Sequence, residues 1–206
     1  AYTARTVTLL ASDGQTYQYQ IRGGGQVGAV VRAAVAPNGG EVTLRGLSSA
    51  TITGKVNREG TMLDKYAFAQ GAEILDVSDS RGAVVSPGRL AGLDLGGGKV
   101  KYYALNPQGE IETLILNDVT GDAYQYGVLT SFDTPEEGGG MGRYYSYAYD
   151  VAGTAYTLPG VAPRFHVNGG PLRLLGDPAN PKSMASLTSA GSGQIVGNQF
   201  AAGNQK

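Results

Sequence analysis

The chain has 206 residues, 41% hydrophobic and 16% charged, and its 16 Lys and Arg against 17 Asp and Glu leave a formal net charge of -1. That balance excludes a charge-driven disordered polymer and offers no electrostatic footprint for nucleic acid. The 33 glycines and 9 prolines demand many turns, the absence of cysteine removes disulfides and thiolate chemistry, and a single histidine makes a histidine triad or multi-histidine metal site hard to assemble.

Beta signals dominate from the start. Val7-Thr8-Leu9-Leu10 and Thr16 to Ile21 read as two strands about Asp13-Gly14, a pair that supplies the positive φ of a tight turn. Tyr17, Tyr19 and Ile21 then share one face by period two. The stretch Val27 to Ala36 fits either a helix or a buried strand, because its Val/Ala mix does not separate the two. Arg32 interrupts it, and no apolar run approaches the ~18 residues of a membrane span, so membrane insertion is not expected. Glu41 to Leu44 and Ala50 to Val56 alternate as strands again.

Glu73 to Val77 is a further short strand, and Ser86-Pro87-Gly88 a turn. The clearest hairpin follows, with arms Lys99 to Leu105 and Glu110 to Leu116 about Asn106-Pro107-Gln108-Gly109. Strict alternation places Val100, Tyr102 and Ala104 on one face of the first arm. In the second arm it sets Ile111, Thr113 and Ile115 against Glu110, Glu112, Leu114 and Leu116. Lysines on one arm and glutamates on the other invite cross-strand pairing on the wet face. Asp118 to Asp122 turns the chain into Ala123 to Leu129, and Asp133 to Gly142 reads as a glycine-rich linker.

Beyond the linker, Tyr145 to Val151 resumes as a strand. Asp13-Gly14-Gln15-Thr16-Tyr17 lies over Ala152-Gly153-Thr154-Ala155-Tyr156, and Leu44 through Val56 over Leu187 through Gln199. One loop insertion near Asn168-Gly169-Gly170-Pro171 accounts for the drift between the two matches. The pattern implies a repeat of about 140 residues with the second copy incomplete. The expected organisation is three small β modules, 1–60, 61–140 and 141–206. Both ends of the chain, Ala1 and Gly203-Asn204-Gln205-Lys206, suggest a piece cut from a longer protein.

The run Lys99 to Asp122 resembles the non-anchoring repeat regions of large S-layer homology domain-containing surface proteins of gut Firmicutes. Tyr144 to Tyr156 and Ser186 to Gly197 are similar to a later stretch of the same proteins, so the resemblance spans most of residues 60–206. It rests on strand-turn patterning and carries no catalytic signature. It implies an extracellular location at the bacterial cell surface, with β modules acting as spacers or adhesive units. Implied partners are other modules of the same longer chain and cell-wall or host glycans or proteins. The motif with which that family binds wall polymer is absent here, so no residue inherits wall anchoring.

Candidate chemistry is thin. Gly92 to Lys99 lacks the glycine spacing and the hydroxyl residue of a phosphate loop, and Gly23-Gly24-Gly25 lacks the strand and helix of a dinucleotide site. Asp76, Asp79, Asp118, Asp122, Glu136 and Glu137 could form a carboxylate pair or calcium ligands, but Asn117 to Asp122 does not follow the spacing of the calcium loop, and Asp favours turns on its own account. His166 reads as a half-exposed strand residue. The surplus is tyrosine, with thirteen in the chain. Tyr145, Tyr147 and Tyr149 share one strand face, with Tyr17/Tyr19 and Tyr124/Tyr126 as similar pairs. An aromatic face with a hydroxyl suits sugar or peptide on a half-wet surface, which makes those three the candidate ligand-binding residues; tyrosine also favours strands for packing alone.

These readings converge on an all-β chain of small antiparallel β-barrels or sandwiches in tandem, with at most one short helix. The expected role is a non-catalytic spacer or interaction module of a bacterial surface protein, with no cofactor, metal or catalytic residue. The alternative is a secreted carbohydrate-binding or glycoside-hydrolysing domain using tyrosine platforms and loop carboxylates.

Overall fold

The computed structural model describes residues 5–21, 23–133, 145–161, 170–187, 195–196 and 199–200. The chain is all-β among these residues, with one 3-10 turn, and divides into two compact units, Ala1–Ala123 and Tyr124–Lys206. No helix among the described residues is long and apolar enough to cross a membrane.

Unit 1 holds two sheets. The first contains β1 (Arg5–Leu10), β2 (Thr16–Ile21), β3 (Val31–Val35) and β4 (Glu41–Gly46) in the order β1-β2-β4-β3. The Asp13-Gly14 turn forms as the residues dictate: Gly14 takes φ 79°, its amide donates to the Ala11 carbonyl at 3.0 Å, and Leu10 pairs with Thr16. The ambiguous stretch resolves as β3, which pairs antiparallel with β4 and is neither helical nor buried, since Arg32 to Val35 are exposed. Valine's β-branched stiffness suits an edge strand as well as a core one.

The second sheet contains β5 (Met62–Leu63), β6 (Tyr66–Ser78), β7 (Arg81–Val84), β8 (Val100–Leu105) and β9 (Ile111–Asn117), ordered β5-β6-β9-β8 with β7 also on β6. The expected strand at Ala50 to Val56 is reduced to isolated bridges, Lys55 to Asp94 and Val56 to Leu63. Ile52 and Val56 instead pack into the core beneath the second sheet with Leu63, Ile74, Leu90, Leu95, Ile111, Leu114 and Leu116. The segment before residue 60 therefore packs with the sheet that follows it. Ser86-Pro87-Gly88 opens the 3-10 turn Pro87–Leu90, with proline in its first turn and Leu90 fully buried.

The two sheets of unit 1 share one topology. Each begins with an antiparallel pair (β1-β2, β5-β6), and each ends with a hairpin whose second arm runs parallel beside the second strand of that pair (β4 beside β2, β9 beside β6). The hairpin turns match as well. The Gly39 amide donates to the Ala36 carbonyl at 2.8 Å, as Gly109 does to Asn106 at 2.9 Å, with φ 72° and 80° at the two glycines. Pro37, Glu41, Thr43 and Leu44 recur as Pro107, Glu110, Thr113 and Leu114. Two of the strand pairings are thus parallel within a chain expected to be antiparallel throughout.

The β8-β9 hairpin departs from strict alternation. Ile111, Leu114 and Leu116 are all buried at 0% exposure, so Ile111 lies on the side expected for the opposite face. Irregularities explain it: Leu105 pairs with Ile111 and Ala104 with Thr113, leaving Glu112 as an extra residue, and Lys101 is extra between Val100 and Tyr102. A bulge residue shifts every side chain beyond it to the other face. The glutamate and lysine of this hairpin also serve its turns. Lys99 Nζ donates to the Asp94 carbonyl at 2.6 Å, and Glu110 accepts from Asn106 Nδ2 at 2.9 Å.

Unit 2 is built on one antiparallel sheet. Its strands are β10 (Gln125–Asp133), β11 (Tyr145–Val151), β12 (Thr154–Val161), β13 (Pro171–Asp177) and β14 (Asn180–Ser186), in the order β12-β11-β10-β13-β14. A small pair, β15 (Ile195–Val196) and β16 (Gln199–Phe200), stands apart from it. β10 was expected at the end of a 61–140 module, but it pairs with β11 and β13. The hairpin about Ala152-Gly153 resembles that about Asp13-Gly14 locally, yet β11, its first arm, is the inner strand, whereas in the first sheet the inner strand is the second arm, β2. Most of the later half of that proposed repeat, 188–194 and 197–198, and most of the Asp133 to Gly142 linker lie outside the described residues.

Candidate functional site

Of the three candidate tyrosines, Tyr147 is 0% and Tyr149 1% exposed, while the side chain of Tyr145 lies outside the described residues. Tyr147 and Tyr149 form the core of unit 2 with Leu129, Val151, Leu172, Leu174 and Met184. Tyr149 stacks on Tyr156 at 5.9 Å between centroids and donates its hydroxyl to the Pro178 carbonyl at 2.6 Å. Burial, followed by the neighbouring Tyr156 and Asp177, pushes its phenol above the ordinary value. Neither ring offers a face to a ligand. The alternation that grouped them was sound, but the face they share points inward.

Two of the flagged acids, Asp76 and Asp122, are spent on architecture. Asp76, 1% exposed, accepts from the amides of Val119 and Thr120 and from Thr120 Oγ1, the last two at 2.6 Å. It thereby fixes the turn that leaves β9. Asp122 forms a two-point ion pair with Arg89, which also donates to the Thr120 carbonyl. Asp79 and Asp118 sit at φ 53°, a left-handed turn geometry that aspartate tolerates. Among the described residues no three potential metal ligands come together. Glu136, Glu137 and His166 lie outside the described residues. The glycine run before Lys99 closes on itself, with Gly97 and Gly98 at positive φ and the Gly96 amide donating to Asp94 Oδ1.

One concave feature of unit 1 is a groove of about 460 Å³ lined by residues of both its sheets. Its floor is the outer face of the second sheet, where pairing register sets two rows across three strands, Glu73–Thr113–Ala104 and Leu75–Ile115–Tyr102. Glu112, the bulge residue, stands beside the first row. The opposite wall is Leu9, Tyr17 and Tyr19 from the first hairpin and Val31, Ala33 and Val35 from β3. Leu10 also lines the groove, and a Cβ built on Gly82 would lie 2.9 Å from its side chain, so a larger residue there would make the end of Leu10 shift.

Tyr17 is 41% exposed and Tyr19 half-buried, their rings stacked at 6.4 Å and 24°. The Tyr17 hydroxyl donates to Asp13 Oδ2 at 2.6 Å. That bond, seconded by the Gln15 amide, holds the Asp13 carboxyl below its ordinary value, and the same carboxylate raises the Tyr17 phenol. A ring tethered at its hydroxyl keeps its orientation at the groove mouth.

Both groove carboxylates, Glu73 and Glu112, are on the floor, and none of the groove residues of the opposite wall is acidic. Glycoside hydrolysis uses two carboxyl groups flanking the bond to be broken, and here both are contributed by the floor strands β6 and β9. The groove presents three phenol rings, an apolar lining, two carboxylates and the guanidinium of Arg32. Sequence reasoning had singled out only the Tyr17/Tyr19 pair. Glu73, Tyr102 and Glu112 sit on three other strands, and only the parallel β6-β9 pairing and the two bulges bring them together.

Compared with known proteins, the chain matches no family model, no curated protein and no solved structure.

Proposed function

We propose that the chain is a non-catalytic spacer and interaction segment of a bacterial cell-surface protein of S-layer-like type. One observation carries the non-catalytic reading: acids and tyrosines that the sequence singles out for chemistry or binding are consumed by folding. Asp76 accepts three hydrogen-bond donors, Asp122 pairs with Arg89, and Tyr147 and Tyr149 fill a core. The surface location rests on the resemblance over residues 60–206 to surface repeat regions. Neighbouring modules of a longer chain and wall or host glycans or proteins are its partners on this reading.

The rival, a secreted glycan-hydrolysing domain, calls for acidic groups on both sides of a cleft, and the groove of unit 1 carries them on one side. Antibody raised against the chain tests the location. Intact cells of the source organism should label as strongly as permeabilised ones, and labelling only after permeabilisation would place the protein inside and overturn the reading.

A further inference from the structure

We propose that the groove of unit 1 binds an extended peptide segment through a basic side chain, taken between Glu73 and Glu112 and covered by the rings of Tyr17, Tyr19 and Tyr102. The inference rests on the reading of the chain as a non-catalytic interaction module and names its partner class.

Charge complementarity chooses the occupant. Glu73 and Glu112 are exposed, and neither has a hydrogen-bond or ion-pair partner among the described residues. Register places Glu73 opposite Thr113, the neighbour of Glu112, so two like charges share one corner of the floor. Like charges at close range disfavour each other, and a cation between them relieves the repulsion. Phenol rings add attraction, because a ring face is the negative end of its quadrupole. Arg32 also lines the groove without an ion-pair partner among the described residues, and its guanidinium suits the carbonyl oxygens of a peptide backbone.

The lining argues for a peptide over a bare amine. Beyond the acidic corner the lining continues as Ala33 and Val35 on the wall and Ala104 and Ile115 on the floor, apolar surface that a small cation would leave wet. A volume of about 460 Å³ lies within the usual range for a ligand site and accommodates a basic side chain with its flanking residues.

The test is an amide-shift titration of the isotope-labelled full chain with acetyl-Ala-Lys-Val-amide, and with acetyl-Ala-Glu-Val-amide and cellobiose as comparators. The lysine peptide should shift the amides of Tyr17, Tyr19, Glu73 and Thr113, and its affinity should fall with added salt. The double variant Glu73→Gln/Glu112→Gln should bind about tenfold more weakly, the loss expected when close charge pairs are removed. Both substitutions are at exposed positions, and a dispersed amide spectrum of the variant confirms that it folds. Equal shifts from the glutamate peptide or cellobiose, or unchanged affinity in the double variant, would overturn the proposal. An intact lysine peptide that shifts nothing would overturn it while leaving the non-catalytic reading standing. A peptide recovered cleaved would overturn that reading instead.

Discussion

Asp76 shows how a buried charge becomes structural. A carboxylate at 1% exposure costs several kcal/mol of lost hydration unless donors surround it, and Val119, Thr120 and the Thr120 hydroxyl supply them. Asp76→Ala leaves those donors facing a cavity and is expected to cost about 3 kcal/mol or more, against about 2 kcal/mol for Thr120→Val, which removes the hydroxyl's bond to Asp76 and the bond it accepts from the Asp122 amide but leaves the two amide donors on the carboxylate. Urea unfolding of the two variants checks the ratio, and equal losses would count against the carboxylate as the organising group. Tyr149 gives a second, pH-dependent prediction. Its phenol is raised above 10.0, so the folded state holds the proton more tightly than the unfolded chain does. Its contribution is complete below 10.0 and disappears as pH rises through the folded-state value, where the donor to Pro178 is lost. Tyr149→Phe should flatten the alkaline decline in stability, followed by tyrosinate absorbance and unfolding at stepped pH. An unchanged alkaline profile would contradict the assignment.

Among the elements, β9 decides the most. Its buried positions Ile111, Leu114 and Leu116 fit no single alternation, and Glu112 reconciles them by standing outside the ladder. Deleting Glu112 would turn Ile111 away from the core, with a loss comparable to emptying a buried aliphatic site, about 2–4 kcal/mol. Glu112→Ala keeps the bulge and should change stability by less than about 0.5 kcal/mol. Denaturant midpoints of the two variants separate the cases, and similar midpoints would mean that the bulge does not set the face. The hairpins around Asp13-Gly14 and Asn106 to Gly109 were legible in the sequence because a turn is a local event, decided by residues a few positions apart. The bulges were not. An extra residue leaves no mark in a pattern of alternating side chains until the partner strand is known.

For the molecule as a whole, the all-β character followed from turn chemistry and alternating segments spread along the chain. Module boundaries were less legible, because they depend on which distant strand each segment meets. Ile52 and Val56 join a core built mainly from later residues, and β10 joins the strands after it. The repetition visible in the structure, Ala36 to Leu44 against Asn106 to Leu114, was hidden by the one-residue shifts at Gly40 and Glu112, and became apparent only through the shared strand order. The groove was illegible for the same reason, its rings and carboxylates being contributed by separate strands of two sheets. On the proposed function, these side chains bind and support without breaking bonds. Prolonged incubation of the chain with a mixed set of oligosaccharides and peptides, followed by mass spectrometry, tests that most directly. Every compound should be recovered at its starting mass. Cleavage that disappears in Glu73→Gln/Glu112→Gln would contradict it.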